Sequence, residues 1–176
     1  MREYKTQIKE IIITTTFSTP IGEMFAAASK KGLVLLYFFT PYDIEANIDK
    51  LKKTLNADVI PGNSEIFDAL KTQLNEYFNK KRTTFEIPLQ LVGTAFQIKV
   101  WKELLNIPYG KTISYKEQAI KIENEKAFRA VANANGQNMI SILVPCHRVI
   151  GNNGNLGGYT GGLEKKEFLL KLENDK

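Results

Sequence analysis

The stretch "SILVPCHRVIGNNG", residues 141–154, holds the only cysteine and the only histidine of this 176-residue chain, and the two are neighbours. Pro145 imposes an extended approach and lacks an N–H, so we expect the chain to turn sharply at Cys146. Side chains of adjacent residues diverge on a helix and alternate on a strand, so Cys146 and His147 should not face each other. The stretch therefore predicts a relay in which a water molecule joins the thiol to His147 and a carboxylate holds the far side of the imidazole.

A lone cysteine is usually a small buried apolar residue, and its neighbours decide whether it is reactive. Here His147 supplies a base, and Arg148 adds a positive charge that favours the thiolate. Spacing alone leaves the carboxylate open among Glu164, Glu167 and Glu173. The pattern indicates a reactive cysteine whose acid partner is undecided.

The loop "GNNGNLGGYTGG", residues 151–162, follows the cysteine closely. Glycines at this density are typical of a flexible surface loop, or of a pocket wall whose bare backbone lets a flat ligand approach. Tyr159 adds a ring on which a ligand can stack. Because few residues separate the loop from Cys146, the loop can form one side of a pocket that contains the thiol.

Composition limits the class of protein. A hydrophobic fraction of 43% with 24% charged residues is typical of a globular protein. One cysteine excludes an internal disulfide and fits a reducing compartment, and a single histidine beside it is too little for a Cys/His zinc site. No apolar run reaches the ~18 residues of a membrane helix. Residues 1–10 lack a signal-peptide core, so we expect a cytoplasmic protein without membrane contact.

The net charge of +5 is spread unevenly. Residues 1–90 carry 12 Lys and Arg against 11 Asp and Glu, whereas residues 91–176 carry 12 against 8. The excess indicates either an ordinary lysine-rich surface or a face that binds a polyanion such as nucleic acid. Charge alone leaves both interpretations open.

The first half of the chain predicts a small sheet with helices. Strands are expected at 10–19, 23–32 and 33–39, where β-branched and apolar residues alternate with turn signals. Helices are expected at 42–55 and at 64–79, the second with an apolar stripe of Ile66, Leu70, Leu74 and Phe78. Residues 80–89 are predicted to be a polar linker followed by a short strand.

The second half is predicted to be mainly helical. Thr94 caps a helix over 94–107, and Ser114 caps a helix over 115–122 that is followed after about three residues by another ending at Gly136. That spacing is typical of a helix-turn-helix, although antiparallel helix pairs look alike. Residues 139–144 are predicted to be extended. A final helix over 163–173 should turn Phe168, Leu169 and Leu172 inward.

Three segments together resemble the O6-alkylguanine-DNA alkyltransferases, also called methylated-DNA–protein-cysteine methyltransferases. They are "PCHRVIGNNGNLGGYTGGLEKKEFLLKLE" (145–173), "GTAFQIKVWKELLNIPYGKTISY" (93–115) and "RAVANANGQN" (129–138). The resemblance implies an α/β (α+β) fold, with a ribonuclease H-like domain over 1–90 and a mainly α helix-turn-helix alkyltransferase domain over 91–176. It implies a single-turnover methyltransferase of DNA repair that flips O6-alkylguanine and O4-methylthymine out of duplex DNA and keeps the alkyl group on Cys146.

The resemblance also implies roles for single residues at the reacting centre. Cys146 would accept the alkyl group, His147 would activate it through water, and Glu173 would be the acid that orients His147. Asn138 would hold the turn between the DNA-binding helices and the active-site segment. Tyr115 would press on the 3′ phosphate of the target and donate a proton to the guanine ring.

On the DNA side, the resemblance implies that Arg129 enters the duplex and fills the space of the extruded guanine. A planar guanidinium can stack in such a gap, and base flipping costs a few kcal/mol of unstacking. Ala130 and Ala134 are small enough to let their helix press against a groove, although alanine also simply favours helix.

The guanine itself would meet the loop after the thiol. The resemblance implies that the carbonyls of Cys146 and Val149 accept from its amino group, and that Tyr159 and the backbone near Thr160 address its O6 and N7 side. No metal and no cofactor are expected, the partner is duplex DNA, and the protein should act as a monomer. Two rival functions are a helix-turn-helix protein that binds DNA without chemistry and a Cys–His acyl hydrolase.

Overall fold

A computed structural model describes residues 9–174, and its N-terminal half contains a four-stranded sheet. The strands are β1 (Glu10–Thr19), β2 (Gly22–Ser29), β3 (Gly32–Phe38) and β4 (Ala57–Pro61), in the order β3-β2-β1-β4. β1, β2 and β3 are antiparallel neighbours, and β4 runs parallel to β1. The three predicted strands are confirmed. β4 was missed because it is short, ends in a proline and buries only Ala57. Residues 1–8, most of the stretch searched for a signal peptide, lie outside the described residues.

Two helices accompany the sheet, α1 (Pro41–Leu55) and α2 (Glu65–Phe78). The bounds of α2 agree with the predicted helix over 64–79 to within one residue, and the Ser64 side chain caps it by accepting from the N–H of Ile66. The buried side of α2 is shifted by one position from the predicted stripe at each end, because Ile66 and Phe78 are only half-buried. The residues it buries are Phe67, Leu70, Gln73, Leu74 and Tyr77.

The second half is mainly helical, as predicted. It contains α3 (Ala95–Leu104), α4 (Tyr115–Lys121), α5 (Phe128–Gly136) and α6 (Leu163–Asn174). Thr94 and Ser114 each form a reciprocal capping box, with Gln97 and Glu117, which fixes where α3 and α4 begin. Residues 122–124 separate α4 from a 3₁₀ turn at Glu125–Ala127 that leads directly into α5. A two-residue parallel ladder joins β5 (Ile113–Ser114) to β6 (Val149–Ile150).

The edge strand β3 carries the segment that precedes Cys146. The N–H of Leu36 donates to the carbonyl of Met139 at 2.9 Å, and the N–H of Ser141 donates to the carbonyl of Leu36 at 2.8 Å. The predicted extended segment over 139–144 therefore docks on β3 through its first residues. The strand predicted within 80–89 is reduced to one bridge between Leu33 and Leu89.

The larger of two hydrophobic clusters among the described residues runs through both halves and includes residues of β2, β3, α2, α3, α5 and α6. In α6, Leu169 and Leu172 are buried as predicted, whereas the prediction for Phe168 is wrong, because its side chain meets Phe78 of α2 and is still 40% exposed. Within residues 9–174 no helix combines the length and apolar character needed to cross a bilayer. The same residues contain no group of three His, Cys, Asp or Glu side chains placed to hold a metal ion.

Candidate active site

Cys146 begins a 3₁₀ turn, Cys146–Arg148, directly after Pro145, so the chain turns at the thiol as predicted. The residue is 8% exposed and lines a cavity of about 490 Å³. A volume of this size is typical of a small-molecule site. The other lining residues are Tyr115, Ala132, Asn135, Gly136, Gly157, Gly158, Tyr159 and Thr160. The glycine-dense loop and α5 thus face the same space as the thiol.

Asn138 holds the turn that leads to the thiol. Its buried Nδ2 donates to the carbonyl of Val144 at 2.8 Å, to the carbonyl of Ile140 at 3.3 Å and to Cys146 Sγ at 3.3 Å. Its Oδ1 accepts from the N–H of Ile140 at 3.0 Å. The turn needs such support because Ile142 has φ 70°, a left-handed conformation that a β-branched residue rarely adopts.

The thiol of Cys146 is protonated in this setting. Burial raises the pKa of Cys146, while the hydrogen bond from Asn138 and the charge of Lys166 lower it by less. Arg148, which we expected to supply the positive charge, instead directs its guanidinium to Glu173 and to the carbonyl of Ile107. A base is therefore required before the sulfur can act as a nucleophile.

His147 is fully buried beside the thiol, and its Nε2 lies 2.7 Å from Glu173 Oε1. Burial lowers the pKa of His147 more than Glu173 raises it, so the imidazole is neutral at pH 7. A carboxylate only accepts hydrogen bonds, so Nε2 carries the proton and Nδ1 keeps a lone pair. No described protein group bonds to Nδ1, and His147 does not contact the thiol directly.

Glu173 is the acceptor for five hydrogen bonds. Besides His147, Arg148 donates through Nε at 2.9 Å and through Nη2 at 3.0 Å, Tyr77 Oη donates at 2.7 Å, and the N–H of Gly110 donates at 3.2 Å. Burial raises the pKa of Glu173, but the hydrogen bonds and charges of His147 and Arg148 outweigh it and lower the pKa to about 2. The carboxylate is ionised at neutral pH.

Of the three carboxylates that spacing left open, the structure brings only Glu173 to His147. Glu167 pairs instead with Lys171 on the outer face of α6, and Glu164 is exposed. All three glutamates lie on α6, so the rotation of this helix against the core determines which of them faces His147.

Lys166 was not identified from the sequence, because a lysine in a lysine-rich helix is expected to lie on the surface. It is fully buried, and its Nζ donates to the carbonyls of Val149 at 2.6 Å, of Gly158 at 3.3 Å and of Leu156. Burial lowers the pKa of Lys166 to about 8. Three carbonyls on one ammonium fasten the glycine-dense loop beside the thiol. The available signal was the position of Lys166 three residues before the inward Leu169.

Each of the two backbone carbonyls expected to meet guanine already accepts one hydrogen bond within the protein. The carbonyl of Cys146 accepts from the N–H of Val149, and the carbonyl of Val149 accepts from Lys166. A carbonyl oxygen has a second lone pair, so each keeps one acceptor position.

Four residues of the glycine-dense loop line the cavity, namely Gly157, Gly158, Tyr159 and Thr160. Tyr159 is half-buried with its ring edge against Phe38, at a centroid distance of 6.4 Å. Thr160 Oγ1 donates to the carbonyl of Gly136 at 3.0 Å and so ties the loop to the end of α5. At Gly157, with φ 69°, a Cβ would lie 2.6 Å from Tyr115 Oη, so only glycine lets Tyr115 pack here.

The outer face of α5 exposes Arg129 and Ala130. Ala134 is 3% exposed, and its carbonyl accepts from Trp101 Nε1 at 2.8 Å, so we place it in the core rather than on a DNA-binding face. Phe128, which sequence reasoning passed over, is 45% exposed, and the Arg129 guanidinium lies 5.8 Å from its ring centroid.

Comparison with known proteins agrees with this geometry over nearly the whole chain. Residues 12–91 match the family described as the ribonuclease-like domain of 6-O-methylguanine DNA methyltransferase, and residues 95–175 match its DNA binding domain. A methylated-DNA–protein-cysteine methyltransferase of Methanosarcina barkeri is 45% identical over 157 residues, covering 89% of this chain and 94% of its own length. The constitutive enzyme of Bacillus subtilis is 42% identical over 160 residues, covering 90% of this chain and 93% of its own.

Solved structures give the same result. The O6-methylguanine methyltransferase of Mycobacterium tuberculosis superposes with a TM-score of 0.76 at 41% identity, covering 93% of each chain. A structure of Mycobacterium tuberculosis OGT in complex with DNA superposes with a TM-score of 0.77 at 41% identity, covering 93% of this chain and 92% of that one. With matches to both halves and an α/β fold of the same arrangement, this chain belongs to the methylated-DNA–protein-cysteine methyltransferase family.

Proposed function

We propose that this DNA-repair alkyltransferase draws O6-alkylguanine, and also O4-methylthymine, out of duplex DNA and transfers the alkyl group to Cys146 once per molecule. The observation that carries the proposal is the buried contact between His147 and an ionised Glu173 beside a protonated thiol. It leaves a basic nitrogen, Nδ1, free on the residue that directly follows Cys146, whose thiol lines the cavity.

The proton of Cys146 passes to His147 Nδ1 through a bridging water, and Glu173 stabilises the imidazolium that forms. The thiolate attacks the alkyl carbon, so an S–C bond forms while the C–O bond to guanine breaks. The departing guanine takes a proton from the Tyr115 hydroxyl, and the phenolate left behind regains a proton from the His147 imidazolium through water. Burial raises the pKa of Tyr115, so its hydroxyl carries a proton at pH 7.

The reaction ends at a thioether on the only cysteine of the chain. A thioether is not cleaved by an ordinary thiol, and the chain has no second thiol with which to exchange. Each molecule therefore reacts once.

We propose that α4 and α5 form a helix-turn-helix unit that meets the DNA. Arg129 is exposed and long enough to fill the gap left by an extruded base, and Ala130 beside it lets the helix approach closely. Lys116 and Lys126 lie with Phe128 around a neighbouring cavity and can contact phosphates. The DNA complex of the related Mycobacterium tuberculosis protein supports this partner.

We propose a division into residues 1–90 and residues 91–176, supported by the two family descriptions that meet near residue 91. We propose action as a monomer, because Tyr77, Gly110, His147 and Arg148 already satisfy the Glu173 carboxylate and the site needs no residue from a second copy. A free thiol as the alkyl acceptor supports a reducing compartment, which we take to be the cytoplasm.

The decisive experiment is intact mass spectrometry after incubation with a duplex that contains O6-methylguanine. We expect the mass of the protein to rise by one methylene group, localised to Cys146, whereas Cys146→Ala should bind the duplex without any gain. An unchanged wild-type mass would remove the transfer proposal and leave a protein that only binds DNA. A Cys146→Ala variant that fails to fold would indicate a structural cysteine.

A further inference from the structure

Tyr77 reaches the reacting centre from the other half of the chain. It lies on α2, is fully buried, and donates through Oη to Glu173 Oε1 at 2.7 Å. The same oxygen lies 2.7 Å from His147 Nε2. One atom of Glu173 therefore receives a donor from each half of the chain.

The position of the Tyr77 hydroxyl is set by its ring. The ring packs against Phe78 and Phe85 at centroid distances of 5.4 Å each, and against Tyr109 at 6.0 Å and nearly perpendicular. Aromatic contacts of this kind hold a side chain in one orientation. The backbone of α2 is in turn held in the core by Phe67, Leu70 and Leu74.

In the hydrogen bond between Tyr77 and Glu173, Tyr77 is always the donor. Burial, and then the charge of Glu173, raise the pKa of Tyr77 far above its usual value, so the phenol stays protonated and always donates. A donor on Oε1 restricts rotation of the carboxylate and takes up part of its negative charge. Both effects act on the hydrogen bond that Oε1 accepts from His147.

We propose that Tyr77 is a positioning residue for alkyl transfer, which orients the Glu173 carboxylate towards His147 and so links the N-terminal half of the chain to the reactivity of Cys146. Tyr77 bonds to neither the thiol nor the imidazole, and it acts through Glu173 alone. The inference rests on the proposed relay from Cys146 to His147.

The test compares Tyr77→Phe with Tyr109→Phe, using free O6-benzylguanine as the probe so that DNA binding plays no part. Tyr109 is a matched control because its hydroxyl donates to the backbone carbonyl of Leu172 at 3.3 Å, in the same turn of α6, rather than to the carboxylate. We expect Tyr77→Phe to react about tenfold more slowly, the effect of losing one hydrogen bond to a charged group. Tyr109→Phe should stay within about twofold of wild type, because its lost bond is neutral.

The pH profile separates positioning from mere packing. Without the Tyr77 donor, Oε1 carries more negative charge and raises the pKa of His147, so the acidic limb of the rate profile moves to higher pH. The other titratable groups around His147 and Glu173 are Arg148, Lys166, Tyr109, Tyr159 and Cys146. They are unchanged in Tyr77→Phe, so we assign the shift to the lost bond.

A second variant keeps the ring and the hydroxyl. Site-specific 3-fluorotyrosine at position 77 is a more acidic donor and should move the acidic limb to lower pH even if Tyr77→Phe does not fold. A limb that moves in neither variant, or equal slowing in Tyr77→Phe and Tyr109→Phe, would overturn the proposal. If the wild-type protein itself does not react with the probe, the fault lies in the proposed function and not in Tyr77.

Discussion

Replacing Glu173 by glutamine keeps the size of a buried side chain and removes its charge. In the wild type that charge faces Arg148, whose guanidinium makes two hydrogen bonds to it and is itself buried. The amide of glutamine turns a donor towards groups that only donate, and it leaves the arginine without a counter-charge. Breaking a buried ion pair in this way costs about 3–5 kcal/mol.

The pKa of Glu173 gives an independent value for the stability that this carboxylate contributes, and the two values are of the same size. The pKa falls from an ordinary 4.5 to about 2 in the folded protein, which corresponds to about 3 kcal/mol of stability. Because the folded pKa is the lower one, this stability is present above pH 4.5 and is lost as the pH falls through about 2. The difference between wild type and Glu173→Gln should therefore be largest near neutral pH and shrink between pH 4.5 and pH 2.

Urea unfolding measures both the loss of stability in Glu173→Gln and its dependence on pH. With an m-value of about 2 kcal/mol/M, we expect the midpoint of Glu173→Gln to fall by roughly 1.5 M at pH 7. Glu167→Gln is the matched control, since Glu167 lies on the same helix in an exposed ion pair worth at most about 1 kcal/mol. An unchanged midpoint in Glu173→Gln, or a loss as large at pH 2.5 as at pH 7, would refute the reasoning. Alkyl transfer should also fail, because the amide cannot stabilise the imidazolium.

Three further variants test the rest of the site. Asn138→Ala leaves the buried N–H of Ile140 without its side-chain acceptor and removes the side-chain donor to the carbonyl of Val144, so we expect about 2–3 kcal/mol of destabilisation in urea. The thiol pKa should also rise, seen as a slower reaction with an alkylating probe. A stability close to that of wild type would contradict the support of this turn. Arg129→Ala should slow the reaction with duplex DNA while sparing free O6-benzylguanine, and an equal loss on both would argue against base flipping. Phe128→Ala should weaken DNA binding, since an exposed apolar side chain beside Arg129 can wedge against base steps. Phe168→Ala is the control, because Phe168 is also exposed but lies on α6, and its loss should leave DNA affinity unchanged. Equal weakening in both variants would show that Phe128 does not belong to the DNA interface.

Local features of this protein could be predicted from the sequence because their causes lie within a few residues. Thr94 and Ser114 each bond to an N–H three residues on, so the starts of α3 and α4 are legible in the chain. Pro145 likewise restricts the backbone that enters the turn at Cys146, a local effect that the hydrogen bonds of Asn138 then support. The segments around that turn were also enough to identify the family.

The contacts of the site depend on groups that are far apart in the sequence. Tyr77 and Glu173 are separated by 96 residues, and the helical stripe in the sequence pointed to Phe78 instead. A stripe of neighbouring apolar residues shows that a helix has an inward side, but the sheet and helices packed against it set the rotation to within one residue. The same packing buries Lys166 and selects Glu173 over Glu164 and Glu167.

The sequence by itself determined the family and the starts of α3 and α4, and it predicted Cys146 as the nucleophile with a base that acts through water. Residue spacing left the carboxylate open and the resemblance implied Glu173, whose contact with His147 the tertiary structure shows. Only the tertiary structure decided which cation lies near the thiol, and that a tyrosine of the N-terminal half completes the network. The physical reason is that caps and prolines act through covalently near neighbours, whereas the positions of buried charges follow from how α2, α6 and the edge strand β3 pack together.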